Sequence, residues 1–179
     1  MTGGVIDSSD MATRDNLARH RQLGRIGGVL AIFITGLGIF TGIASLVLNR
    51  FPPFFTPPYF LALTVTESLV FGAMVAWAIR RRRATDWHRR LMIGATIVIL
   101  EPALGRLLPI PMMGPWAEPA IALCQLAAVA IVAAYDRRTR GAVHPATWAI
   151  GAVVIATRVA ISLLSMTPPV IALAEWLAG

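Results

Sequence analysis

The chain has 179 residues, 56% of them hydrophobic and 14% charged, against roughly 25% charged in ordinary soluble domains. That composition excludes a soluble globular domain, and the length allows one helical bundle without a second domain. The net charge of +7 comes from arginine alone, with no lysine, and the arginines cluster between apolar runs without a basic face interleaved with aromatics, so nucleic-acid binding is not expected.

The segment 1–18 is polar and reads as a disordered cytoplasmic tail, with Met11 as an alternative start. The remainder, 19–179, reads as a single transmembrane helical domain. Its first span is predicted over 26–48, uncharged and too long for a signal-peptide core. Gly38 and Gly42 form a small-xxx-small pair there. Phe51 to Tyr59, FPPFFTPPY, is a proline-rich connector. The second span, 60–79, carries Glu67 near its middle and a ridge of Ser68, Gly72 and Ala76.

The connector RRRRATDWHRR holds six arginines and leads into a third span over 89–108. Pro102 is expected to kink that span, and Thr85 or Asp86 to cap it. Pro109 to Pro119 forms a second proline-rich connector, with Trp116 as an interfacial anchor. The fourth span is predicted over 120–135 and contains the lone Cys124, a small apolar side chain with no disulfide partner. Asp136 to His144 is expected to be a loop. The fifth span, 145–166, opens on Pro145, which has no amide hydrogen to lose in a first turn. The apolar stretch after Thr167 is too short to span and should lie on or re-enter the membrane surface.

The predicted fold class is therefore all-α: a polytopic membrane bundle of about five transmembrane helices plus a short C-terminal apolar helix. Four arginines precede the first span, six lie between spans two and three, and three between spans four and five. The positive-inside rule then places the N-terminus in the cytoplasm and the C-terminus outside a bacterial inner membrane. The expected partners are the lipid bilayer and its anionic headgroups, with a homo-oligomer or a second membrane protein as further candidates.

Two layers of residues stand out. Glu67 lies about ten residues, at 1.5 Å each, from one end of its span; Glu101, Gln125 and Arg158 lie at similar depth. A lone charge there costs about 2.5–3.5 kcal/mol or more, so these groups should face inward and pair, Arg158 with Glu101 or Glu67. The cluster is either a proton path or polar pocket, or an ion-paired clamp between helices. Arg106, nearer the interface, would snorkel or pair with Glu118.

The second layer is His20, His88 and His144, each beginning an odd-numbered span at the cytoplasmic interface. Converging imidazoles could hold haem iron or a transition metal, with Asp136 as a fourth ligand or supporting partner. They could equally cap helices or sit among headgroups. The sequence shows no catalytic motif and no nucleotide loop.

HRQLG before the first span, HRRLM opening the third, and YDRRTRGAVHPATW joining the fourth and fifth carry a resemblance over residues 18–165. They resemble an uncharacterised family of bacterial multi-pass membrane proteins, a domain of unknown function. Members of that family often have one or two further upstream helices with a histidine–glycine pair, which this sequence does not show. The resemblance implies no activity. The sequence points first to a non-enzymatic structural or assembly-type membrane protein, in which the Gly38 and Ser68 ridges are packing surfaces. The alternatives are a haem- or metal-binding redox protein and a proton or small-solute carrier.

Overall fold

The computed structural model describes the backbone of residues 8–179 and the side chains of residues 22–179. Helix α1 runs Ser8–Val47, α2 Pro57–Arg80, α3 Thr85–Val98, α4 Glu101–Leu107 and α5 Ile110–Met113. After a short 3-10 turn come α6 (Ala117–Arg140), α7 (Pro145–Ser165) and α8 (Pro168–Ala178). No strand occurs among the described residues. Of the segment expected to be a disordered tail, residues 1–7 lie outside the described residues, and the backbone from Ser8 onward belongs to α1.

Four stretches are long and apolar enough to cross a membrane: Gln22–Val47, Pro57–Arg80, Ile110–Arg140 and Pro145–Ser165. The outward side of α1 is compatible with a lipid surround. Val29, Ile32, Phe33 and Phe40 are 61–75% exposed along one helix, an apolar face that a monomer in water would not present.

Several bounds differ from the sequence reading, each for a local reason. Helix α2 begins three residues before the expected position 60, because Pro57 and Pro58 occupy its first turn rather than extending the connector. Helix α6 continues through Asp136 to Arg140, where a loop was expected. It stops at Gly141, whose φ of 76° closes the helix in the left-handed region.

The third span is the largest correction. It is not one kinked helix over 89–108 but two helices broken at Ile99–Leu100. Pro102 has no N–H to give Val98, and its ring crowds that same carbonyl, so the α-helical ladder ends there. The amide of Leu100 turns instead to Ile97 O at 3.3 Å, and α4 restarts from Leu100. The pair α3–α4 still traverses the bundle. α2 ends at the arginine-rich end, and Arg90 of α3 meets Asp136 near the close of α6, whereas Glu101 of α4 reaches the level of Gln125 and Arg158. α3–α4 therefore runs antiparallel to α6 in two pieces, neither of them among the four stretches long and apolar enough to cross a membrane where five were expected.

Helix α2 is central and packs against α1, α3, α7 and α8. Phe71, Met74, Val75 and Ala78 of α2 form the main core with Leu91, Ala95 and Val98 of α3 and Ile150 and Val154 of α7. Against α1 the packing is closer. A methyl group at Gly38 would collide with Ser68, and one at Gly42 with Thr64, so small residues let these two helices meet side chain on backbone.

Helix α8, with 11 residues, spans only about 16 Å and cannot cross the hydrocarbon. It folds back onto the proline-rich end, where Ala174 packs on Leu46 of α1 and Leu61 of α2. Asn49 Nδ2 donates to Ala178 O at 2.9 Å and ties the last turn to the end of α1.

Candidate functional site

The structure brings the four deep polar residues together. Glu67 lies ten residues into α2, and Arg158 thirteen into α7, counted from Pro57 and Pro145. Arg158 Nη2 donates to Glu67 Oε1 at 2.8 Å, Nη1 to Glu101 Oε2 at 2.6 Å, and Nε to Gln125 Oε1 at 3.0 Å. Its Nη1 also lies 3.4 Å from Glu118 Oε2. Glu118 thus turns to Arg158, not to Arg106 as the sequence suggested. Arg106 is exposed and folds back on its own helix, donating to Pro102 O at 2.7 Å. A guanidinium with donors on three nitrogens can reach four acceptor groups on three helices in one planar fork, which an ammonium could not.

Gln125 links this cluster to the break in the third span. Its Nε2 donates to Ile97 O and Val98 O, both at 3.0 Å. Val98 O is the carbonyl that Pro102 leaves without a helical partner, and in hydrocarbon an unpaired carbonyl costs several kcal/mol. The same amide offers its oxygen to Arg158. One 1% exposed side chain therefore repairs the broken helix and orients the cation.

The cluster holds more acid than its cation can neutralise. Three carboxyls share one guanidinium among the described residues, so the group is electrically balanced when two of them carry protons. Glu101 Oε1 and Glu118 Oε1 are buried without a hydrogen-bond partner among the described residues. Glu67 and Glu101 also border a cleft of about 660 Å³ between α1, α2 and the α3–α4 break. Its walls carry Phe54, Phe55, Phe60 and Phe71, and Arg50 and Arg106 stand at its proline-rich end.

A second polar network, which sequence reasoning missed as a unit, closes the arginine-rich end. Asp136 of α6 is 0% exposed and is bound by Arg90 of α3 through Nη2 and, at 3.0 Å, through Nε. The same carboxylate accepts from Thr147 Oγ1 at 2.5 Å and from the backbone N–H of His144 at 3.1 Å. Asp86 receives Arg140 Nη1 at 2.6 Å, and that guanidinium holds its carboxyl below the usual carboxylate range. Trp87 packs edge-on against His144 at 5.5 Å and under the Arg81 guanidinium at 5.1 Å. The signal in the sequence was Asp136 itself, an acid among arginines at an apolar helix end.

These contacts redirect the histidines. His144 caps α7, its Nδ1 accepting from Ala146 N at 3.0 Å. The proton of the neutral ring then sits on Nε2, leaving no nitrogen lone pair for a metal. His88 Nδ1 donates to Ala78 O at 2.8 Å, joining α3 to the end of α2. The carboxylate of Asp136 is already filled by Arg90, Thr147 and His144. Among the described residues no group of three or more His, Cys, Asp or Glu side chains could hold a metal ion, so the ligand set drawn from His88, His144 and Asp136 does not assemble. The side chain of His20 lies outside the described residues.

Burial holds the His144 imidazole below its ordinary value of about 6.5, helped by Arg90 and Arg140 nearby. Its neutral form stabilises the fold fully above about pH 6.5, and that contribution is lost as pH falls through the lowered value. The unfolding temperature should therefore drop between pH 7 and pH 5. His144→Asn keeps a capping acceptor without a titrating ring and should flatten that drop. Equal pH slopes for the two proteins would show that His144 is not the responsible group.

A helical bundle of membrane-crossing length, with one ionic cluster at depth and one at its arginine-rich end, defines the class of this protein. No protein-family model matches the chain, and neither a curated protein nor a solved structure matches it.

Proposed function

We propose that this chain is an integral membrane carrier that takes up and releases protons at the Glu67–Glu101–Arg158 cluster, with its arginine-rich end in the cytoplasm. The observation that carries the reading is the surplus of acid: three carboxyls around one guanidinium, two of them bordering the 660 Å³ cleft. An ion-paired clamp between helices needs one carboxylate per arginine. Each further carboxyl in hydrocarbon costs free energy when charged and gives the site a proton to exchange when neutral. Intramembrane acids facing a cleft are the usual material of proton relays.

The competing readings lose specific support. The Gly38 and Gly42 ridge is covered by Ser68 and Thr64 within the chain, which removes it as a surface for assembly with a partner. The redox reading loses His144, which caps α7, while the side chain of His20 lies outside the described residues.

The test is proton flux in vesicles. Wild-type protein should collapse an imposed pH gradient, whereas Glu67→Gln and Glu101→Gln should each slow the collapse by about tenfold or more while retaining cooperative unfolding. Unchanged flux in both variants would remove the proposal.

A further inference from the structure

The cleft beside the cluster has a composition that selects a ligand class. Its volume of about 660 Å³ falls within the range of small-molecule sites, about 300–1,000 Å³. Four phenylalanines line it, and two carboxyls close its depth. Glu101 is only 5% exposed, borders the cleft, and keeps Oε1 without a partner among the described residues. The floor therefore holds two adjoining carboxyls, Glu67 and Glu101, within hydrogen-bond reach of each other, that Arg158 does not fully occupy. Aromatic faces attract cations most strongly where water is excluded, and a carboxylate supplies the matching charge.

We propose that the cleft binds an amphipathic, monovalent organic cation in exchange for a proton at the Glu67–Glu101 pair. This rests on the proton-exchange reading above and adds the substrate class to it. When one carboxyl of the pair gives up its proton to water, the cluster becomes one unit more negative. A cation seated beside the Glu67–Glu101 pair and against the phenylalanine rings restores the balance. Cation and proton thereby compete for the same charge.

The groups that set this balance come from four helices: Glu67 and Tyr59 from α2, Glu101 from α4, Glu118 and Gln125 from α6, and Arg158 from α7. Helix α1 lines the cleft with Ile34, Gly38, Thr41 and Ser45 and brings no charge to it. Arg50 and Arg106 lie at the far, exposed end of the cleft. There water and headgroups screen them, while the buried carboxyls are screened little. An acidic amphiphile attracted to those arginines would still meet two carboxyls at depth.

The experiment measures binding of tetraphenylphosphonium to the full chain in nanodiscs, with proton release followed in the same sample. One proton released per cation makes binding about tenfold tighter for each unit of rising pH. Glu101→Gln should abolish the pH dependence. Phe54→Ala, at a ring that is 42% exposed and therefore cheap to remove, should weaken binding several-fold without loss of fold. Binding that ignores pH, or tighter binding of a tetraphenylborate anion, would overturn the proposal. Proton flux in vesicles together with no cation binding would overturn this inference alone and leave the proton-carrier reading standing. The absence of both proton flux and cation binding would overturn both.

Discussion

Arg158→Met is expected to destabilise the bundle by about 3–5 kcal/mol at neutral pH, the range found when one partner of a buried ion pair is removed. The substitution keeps the length and apolar stem of the side chain, so the loss reports the guanidinium rather than a cavity. Without it, Glu67, Glu101 and Glu118 face one another with no cation, and Gln125 Oε1 loses its donor. Buried carboxyls left without a cation are stabilised in their uncharged form. The loss should therefore shrink at pH 5, where protons are abundant, and grow at pH 8. Arg158→Lys should recover only part of the stability, because one ammonium cannot hold acceptors on α2, α4 and α6 in a planar fork. Equilibrium unfolding in bicelles at the two pH values checks both statements. A loss of the same size at pH 5 and pH 8 would show that the carboxyls do not exchange protons with the medium.

Asp136→Ala should cost a similar amount, about 3–5 kcal/mol, through a different mechanism. Arg90 is 5% exposed and would be left charged in a buried position, and the Thr147 hydroxyl and His144 amide would lose their acceptor. These partners join α3, α6 and the start of α7, so the arginine-rich end should loosen as a unit. Arg90→Met in the Asp136→Ala background should cost little more or recover part of the loss, because it removes the charge that Asp136→Ala leaves orphaned. A double-mutant cycle of unfolding free energies tests this. If the two single losses simply add, Arg90 and Asp136 do not form the coupled pair that their contacts describe.

How much of this was legible depends on which forces act locally. The expected spans around α1, α2, α6 and α7 follow from hydropathy, since transfer of each segment into lipid depends on its own residues. Pro145 at the start of α7 was readable for the same reason: the lost N–H concerns only the first turn. Pro102 was recognised as a disturbance, but the size of the disturbance was not. Whether a proline kinks a helix or breaks it depends on what receives the freed carbonyls. That receiver is Gln125, 27 residues further along the chain from Val98. The bound at Arg140 was missed because charged residues resemble a loop, whereas the i−4 ladder continues until Gly141 permits a left-handed turn.

The histidines show the limit from the other side. Topology alone could align His88 and His144 on one face, but it could not say which way each ring turns. His88 turns to the end of α2 and His144 to its own helix start, and each satisfies a local backbone group instead of a shared ion. Asp136 was noticed in the sequence as a companion to those rings. Its partner proved to be Arg90, 46 residues away.

By itself, then, the sequence determined that the chain is helical, where its apolar segments lie, and that Glu67, Glu101, Gln125 and Arg158 share a depth. These are consequences of composition along one axis. Only the tertiary structure decided the rotation of each helix about that axis, and with it every pairing: Arg158 with three acids and Gln125, Gln125 with the broken third span, Arg90 with Asp136. Hydropathy fixes depth because lipid is uniform around a helix. Rotation is fixed by close contacts such as Gly38 on Ser68 and by polar groups that have nowhere else to turn.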